Sequence, residues 1–182
     1  MIMLQPLKEL EKFYNNNDPW NYETNADDIR RKSIILSEIP ERKYENVLDI
    51  GCGHGFITRE LPGKKIIGVD VSANAITQAK LNHSKQHNKN NIDFTQSSIF
   101  ELNSHISGVY DLIVITGVLY PQYIGEAKSL IYKIVDRFLA NDGILLCSHI
   151  NEWYTLRFPY LMLENYYFEY REYTQCLEVY VK

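Results

Sequence analysis

The 182-residue chain predicts an α/β fold in which a mostly parallel sheet carries helices on both faces. Three observations lead there. Short apolar runs at 47–50, 66–69, 110–115 and 144–147 alternate with longer segments of helical period. The run at 47–50 enters a turn with glycine at every second position, Gly51-Cys52-Gly53-His54-Gly55. The chain then closes on two strand-like segments, 166–174 and 177–181, which read as an antiparallel pair at the end of the sheet.

Taken in order, residues 5–14 read as a short helix, broken by Asn15-Asn16-Asn17-Asp18-Pro19-Trp20. Asp27 is placed to cap a helix to about residue 38, with Ile29, Ile34, Ile35 and Leu36 as its apolar stripe and Pro40 beyond its end. Strand 47–50 leads through the glycine turn into a helix over 55–61, then strand 66–69. Ser72 caps a helix of good formers reaching about His87, and 92–96 is a strand polar at alternate positions. Unbroken Leu112-Ile113-Val114-Ile115 marks 110–115 as a strand buried on both faces. Residues 124–139 form an amphipathic helix through Leu130, Ile131, Ile134, Val135, Phe138 and Leu139. Asn141-Asp142-Gly143 then turns the chain into strand 144–147. No repeat or low-complexity linker interrupts the pattern. One domain is expected over 1–182, with 1–40 a helical lid segment and 41–182 the core.

Composition narrows the function classes. The chain is 45% apolar with formal net charge -4, and no long basic block favours a nucleic-acid partner. Arg30-Arg31-Lys32 reads as a solvated helix face. Cys52, Cys147 and Cys176 are odd in number and far apart, as expected in a reducing cytoplasm rather than a disulfide frame. Nothing approaches the ~20 apolar residues of a membrane span. Residues 1–4 are apolar, but Gln5, Pro6, Lys8 and Glu9 follow, so no signal peptide is read. The 14 tyrosines crowd the C-terminal third, which suits a pocket wall, a subunit surface or ordinary strand composition. Arg157-Phe158-Pro159-Tyr160 and the tyrosines of 166–173 are the candidates for a homodimer surface. No metal is expected, since His83 and His87 lie one helical turn apart in solvated, Asn- and Lys-rich surroundings.

The glycine turn marks a nucleotide-type site, because glycines let backbone approach a ligand and Asp70, at the end of the second strand, suits ribose hydroxyls. A dinucleotide pattern needs glycine where this chain has Phe56. Asp49 would also face an anionic pyrophosphate. At an effective dielectric of ~20, attraction and repulsion between unit charges a few Å apart differ by several kcal/mol. S-adenosylmethionine, with a sulfonium, an ammonium and no phosphate, reverses that sign.

At these residues the chain resembles the class I S-adenosylmethionine-dependent methyltransferases. The resemblance rests on 47–55 (Asp-x-Gly-x-Gly-x-Gly from Asp49), Gly68-Val69-Asp70-Val71-Ser72 and Tyr110-Asp111-Leu112-Ile113-Val114, in order over about 40–182. It implies a Rossmann-like, doubly wound seven-stranded sheet, mostly parallel with a C-terminal antiparallel hairpin strand. A narrower similarity joins Asp18-Pro19-Trp20, Tyr22-Glu23, Arg31-Lys32, Pro40, Tyr44 and Val118-Leu119-Tyr120 to the nodulation protein S type of N-methyltransferase. Those enzymes methylate the amine of a chitooligosaccharide, so the similarity implies a small polar or sugar-like acceptor.

The resemblance also implies site roles. Gly51 and Gly53 run under the methionine and ribose moieties, and Asp49 holds the ammonium end. Val71 packs on adenine, with Ser97, Ser98 and Ile99 near its edge. Thr116, Gly117 and Val118 lie by the reacting methyl, Trp20 with Tyr22 forms a lid, and Arg31 meets the cofactor carboxylate. Methyl transfer is an in-line displacement, so the protein mainly aligns the acceptor and excludes water. A hydroxyl acceptor needs a base, and His149, just after the fifth strand, is the candidate, with Tyr120 orienting the acceptor and Glu152 a further possibility. Two rivals stay open: a nicotinamide-dependent oxidoreductase, for which a Tyr-x-x-x-Lys pair is missing, and a non-catalytic cofactor-binding subunit.

Overall fold

The computed structural model describes residues 5–16, 18–85, 91–154 and 157–182. The expected reach of the third helix to His87 and the reading of residues 1–4 lie outside these. Strands β1 (Asn46–Ile50), β2 (Lys65–Asp70), β3 (Asn91–Gln96), β4 (Tyr110–Thr116), β5 (Leu139–Ile150), β6 (Leu161–Tyr170) and β7 (Tyr173–Val181) form one sheet in the order β3-β2-β1-β4-β5-β7-β6. The first five run parallel, whereas β7 is antiparallel to β5 and β6 antiparallel to β7. This is the seven-stranded doubly wound sheet expected.

Helices α1 (Leu7–Phe13), α2 (Ala26–Ser37), α3 (Ala73–Ser84), α4 (Leu102–His105), α5 (Pro121–Ile124) and α6 (Lys128–Phe138) flank it. Side chains alternate across a strand, so neighbours on β1 and β4 feed opposite cores. Leu48, Ile50, Ile113 and Ile115 pack with Ile131, Ile134, Val135 and Phe138 of α6. Val47, Leu112 and Val114 pack with Ile35 of α2 and Ile76 and Ala79 of α3 on the other side. Burial on both faces is what the unbroken apolar run on β4 demanded.

Several boundaries depart from expectation. The cap of α2 is Asn25, whose side chain accepts from the Asp27 and Asp28 amides, so Asp27 sits inside the first turn. The helix expected over 55–61 is a single 3₁₀ turn, Thr58–Glu60. Gly51, Gly53 and Gly55 have φ of +81°, +53° and +84°, and Pro62 follows at once, leaving no room for a regular right-handed turn between them. The helix expected over 124–139 is broken at Gly125 (φ +54°), and Leu130 is exposed rather than part of the buried stripe. Residues 141–143 are a bulge within β5, because Tyr110 pairs with Leu139 while Leu112 pairs with Ile144. The hairpin turns at Arg171, φ +55°, between paired Tyr170 and Tyr173, and Gln175 and Cys176 lie in the ladder with β5.

Candidate functional site

In this topology strand order reverses between β1 and β4, and the crevice beyond their carboxyl ends is where open α/β sheets bind ligands. The glycine turn folds back over it: the Gly51 and Cys52 amides both donate to the Val69 carbonyl, at 2.8 and 3.0 Å. A Cβ on Gly51 would lie 2.1 Å from Val118 Cγ2, so the loops after β1 and β4 touch only because residue 51 is glycine.

A cavity of about 380 Å³ opens there. Its walls include every residue expected at the cofactor: Trp20, Arg31, Asp49, Gly51, Gly53, Asp70, Val71, Ser97, Ser98, Ile99, Thr116, Gly117 and Val118. Tyr14, Tyr22, His54, Phe56, Phe100 and Tyr123 complete an aromatic wall. The volume is within the usual range for small-ligand sites.

Asp49 is 1% exposed. Thr58 Oγ1 donates to its Oδ2 at 2.6 Å, while Oδ1 has no hydrogen-bond partner among the described residues. Burial pushes this carboxyl up to about 7, the Thr58 bond holds it down, and Asp70 raises it further. Asp70 is pushed up to about 6 by burial, against the Ser72 and Gly53 amides that donate to its two oxygens at 2.9 and 3.0 Å. Two buried acids with a vacant acceptor fit a cationic hydrogen-bond donor and would repel an anion.

The segment before β1 closes one side. Glu11 of α1 accepts from Ser72 Oγ and the Ala73 and Asn74 amides, docking α1 on the start of α3. Trp20 stacks between Phe13 and Tyr22, and Tyr22 stacks on His54 and Phe56. Burial lowers the His54 pKa, opposed by Asp18 and Glu23. Arg31, 7% exposed, lies over Tyr22 and Tyr170, and its Nε has no hydrogen-bond partner among the described residues. Asp28, fully buried, holds Arg31 at 3.4 Å and receives Tyr170 Oη and Arg171 Nη2 at 2.7 and 2.6 Å.

The expected catalytic groups are placed differently. His149 does not line the cavity; it is 3% exposed, packed edge-on against Tyr154 at 4.1 Å between ring centroids, and burial lowers its pKa to about 3. Tyr120 is also off the cavity, its hydroxyl accepting from the Ile150 amide at 2.8 Å, and burial pushes it up to about 12. Glu152 accepts from the Thr174 amide instead. Phe158 and Tyr170, expected on a subunit surface, are buried, whereas Tyr166 and Tyr167 are exposed. Tyr14, whose hydroxyl lies 3.0 Å from where a Gly53 Cβ would be, escaped the sequence reading because its approach to the turn is non-local.

The sequence model of a family described as "Methyltransferase domain" matches residues 41–179, and the chain belongs to that family. Its fold is that of class I S-adenosylmethionine-dependent methyltransferases. The N-methyltransferase NodS of Bradyrhizobium japonicum, solved with S-adenosyl-L-homocysteine, superposes with TM-score 0.77 at 20% identity over 97% of both chains. Magnesium protoporphyrin IX methyltransferase of Synechocystis PCC 6803 gives 0.71 at 15% identity over 97% of this chain and 100% of that one. By sequence, a Methanocaldococcus jannaschii protein assigned as a protein N5-glutamine methyltransferase is 32% identical over 130 residues, 69% of this chain and 58% of its own. The malonyl-[acyl-carrier protein] O-methyltransferase of Legionella pneumophila is 24% identical over 146 residues, 72% and 49% respectively. The chain spans about half the length of the curated relatives it matches.

Proposed function

We propose that this chain transfers the methyl group of S-adenosylmethionine to a nitrogen or oxygen of a small polar acceptor, such as a sugar or sugar-derived intermediate. The observation that carries the reading is the buried Asp49 carboxylate with one unpartnered oxygen on the cavity wall. Bound here, the cofactor would supply an electrophilic methyl carried on a sulfonium.

The chain's part is to hold and align. Asp49 receives the ammonium end, and Arg31, with a free Nε, receives the carboxylate. Asp70 takes the ribose hydroxyls with its remaining lone pairs, and Val71, 36% exposed, receives adenine beside Ser97, Ser98 and Ile99. Thr116, Gly117 and Val118 line the approach to the methyl. The segment 1–40 acts as a lid on the 41–182 core in a single domain, a reading supported by the α1 docking and the Trp20–Tyr22 stack.

An amine acceptor is favoured over a hydroxyl, because the aromatic wall suits a methylated ammonium. The relatives' names cover protein glutamine, acyl-carrier malonyl and porphyrin acceptors, so they do not converge on one. Among the described residues no helix is long and apolar enough to cross a membrane.

Titration calorimetry with S-adenosylmethionine and with NAD tests the cofactor, and a preference for NAD would sink the reading. Labelled-methyl transfer into a metabolite extract identifies the acceptor. The burial of both expected catalytic groups favours one second reading, a cofactor-binding subunit without activity of its own. Binding without transfer in such extracts is its signature.

A further inference from the structure

Away from the cavity, the β5–β7 seam buries a second polar cluster. His149 pairs with Cys176 across the ladder, and Glu178 lies two residues further on the same face of β7. All three side chains are buried, at 3%, 0% and 0% exposure, and each offers a ligating atom within 4.8 Å of the other two. Buried polar atoms in a folded chain normally have partners, and clustered exceptions point to an absent water or ion. Here, among the described residues, His149 Nδ1, Glu178 Oε2 and the Tyr154 hydroxyl have no hydrogen-bond partner. Glu178 Oε1 is met by an ion pair with Arg157, whose side chain is 48% exposed, and Cys176 Sγ faces Asn165 Oδ1 at 3.4 Å.

We propose that His149, Cys176 and Glu178 form a binding site for one divalent transition-metal ion, zinc by preference, that staples β5 to β7. One imidazole, one thiolate and one carboxylate suit zinc, whereas calcium and magnesium want oxygen alone. Binding is ligand exchange without redox change. The Cys176 thiol loses its proton to solvent as sulfur bonds the metal, the imidazole binds neutral, and the Glu178 carboxylate leaves Arg157, which turns to water. Two anionic ligands then balance the dication. None of the three lines the cavity, so the site does not depend on the methyl-transfer reading.

The test is elemental analysis of the tag-free full chain after exposure to zinc and exhaustive dialysis, followed by cobalt substitution. Close to one zinc per chain, and a near-ultraviolet sulfur-to-cobalt absorption lost in Cys176→Ser, is the expected result. Cys176→Ser or His149→Gln should weaken zinc by more than the roughly 10–100-fold that an outer-shell change costs. Because a ligand variant can misfold, Arg157→Gln gives an independent arm. It leaves the ligands intact and removes the competing cation, so zinc affinity should rise roughly 3- to 10-fold. Far less than one zinc per chain with no cobalt–sulfur band, or zinc affinity unchanged or lower in Arg157→Gln, overturns the proposal.

Discussion

Among single side chains, Asp49 has the sharpest consequences because its environment favours the neutral form until a cation arrives. Its folded pKa lies near 7, above the ordinary carboxyl value, so the folded chain holds a proton that the unfolded chain has released. Stability therefore falls as pH rises from the unfolded toward the folded value, and Asp70 adds in the same direction up to about 6. Asp49→Asn should raise ligand-free stability above neutral pH by on the order of 1–3 kcal/mol, read by denaturant melts. The same change should weaken S-adenosylmethionine at least ~10-fold, read by calorimetry. In the native chain that affinity should strengthen as pH rises through about 7, with proton release on binding, and lose this dependence in Asp49→Asn. If Asp49→Asn binds the cofactor unchanged, the cation argument fails. Gly51→Ala makes a second residue-scale test. A Cβ 2.1 Å from Val118 Cγ2 at φ +81° should cost several kcal/mol and abolish binding, whereas Gly108→Ala, with nothing within 4 Å, should keep its affinity despite its own positive φ.

Elements meet at the β6–β7 turn, which reaches back to the N-terminal segment. Arg171 Nη2 donates to the Trp20 carbonyl at 2.8 Å and to Asp28 at 2.6 Å, and Asp28 in turn holds Arg31 on the cavity wall. Arg171→Ala removes one of two cations from a fully buried carboxylate. It should cost about 1–3 kcal/mol of stability and roughly 10-fold in cofactor affinity, with Arg171→Lys recovering part of both. Loss of stability without loss of affinity would reduce this contact to scaffolding. No pattern in the sequence announced it, because the partners are 143 residues apart. What was legible was local: apolar strands, the glycine turn, the Ser72 cap (whose hydroxyl accepts from the Ala75 amide) and the two acids at strand ends. The residues those motifs nominate line one cavity. His149 failed for a different reason. It was expected just after a strand ending at 147, but β5 runs on to Ile150, so His149 is a strand residue paired with Cys176 and faces the β7 seam. The turn at Arg171 was missed because a non-glycine residue adopts the left-handed conformation there.

For the whole molecule, ligand and fold are coupled through the crevice. The cavity walls come from the segment before β1 and from the loops after β1, β2, β3 and β4, so one bound molecule would bridge segments from residue 5 to residue 124. A ligand that binds only the assembled walls stabilises the native state by about 2.7 kcal/mol at a hundredfold excess over its dissociation constant. For a chain of this length, each kcal/mol moves the melting midpoint by roughly 2–4 °C. S-adenosylmethionine and S-adenosylhomocysteine should therefore each raise the midpoint by roughly 5–10 °C in a thermal shift assay. The two differ by the sulfonium charge, so the product should fall behind the substrate only as far as the acid pair senses that charge. NAD at the same concentration should leave the midpoint unmoved, because its pyrophosphate would have to sit against Asp49. A shift with NAD that equals the shift with S-adenosylmethionine would mean that the buried acids do not select for positive charge.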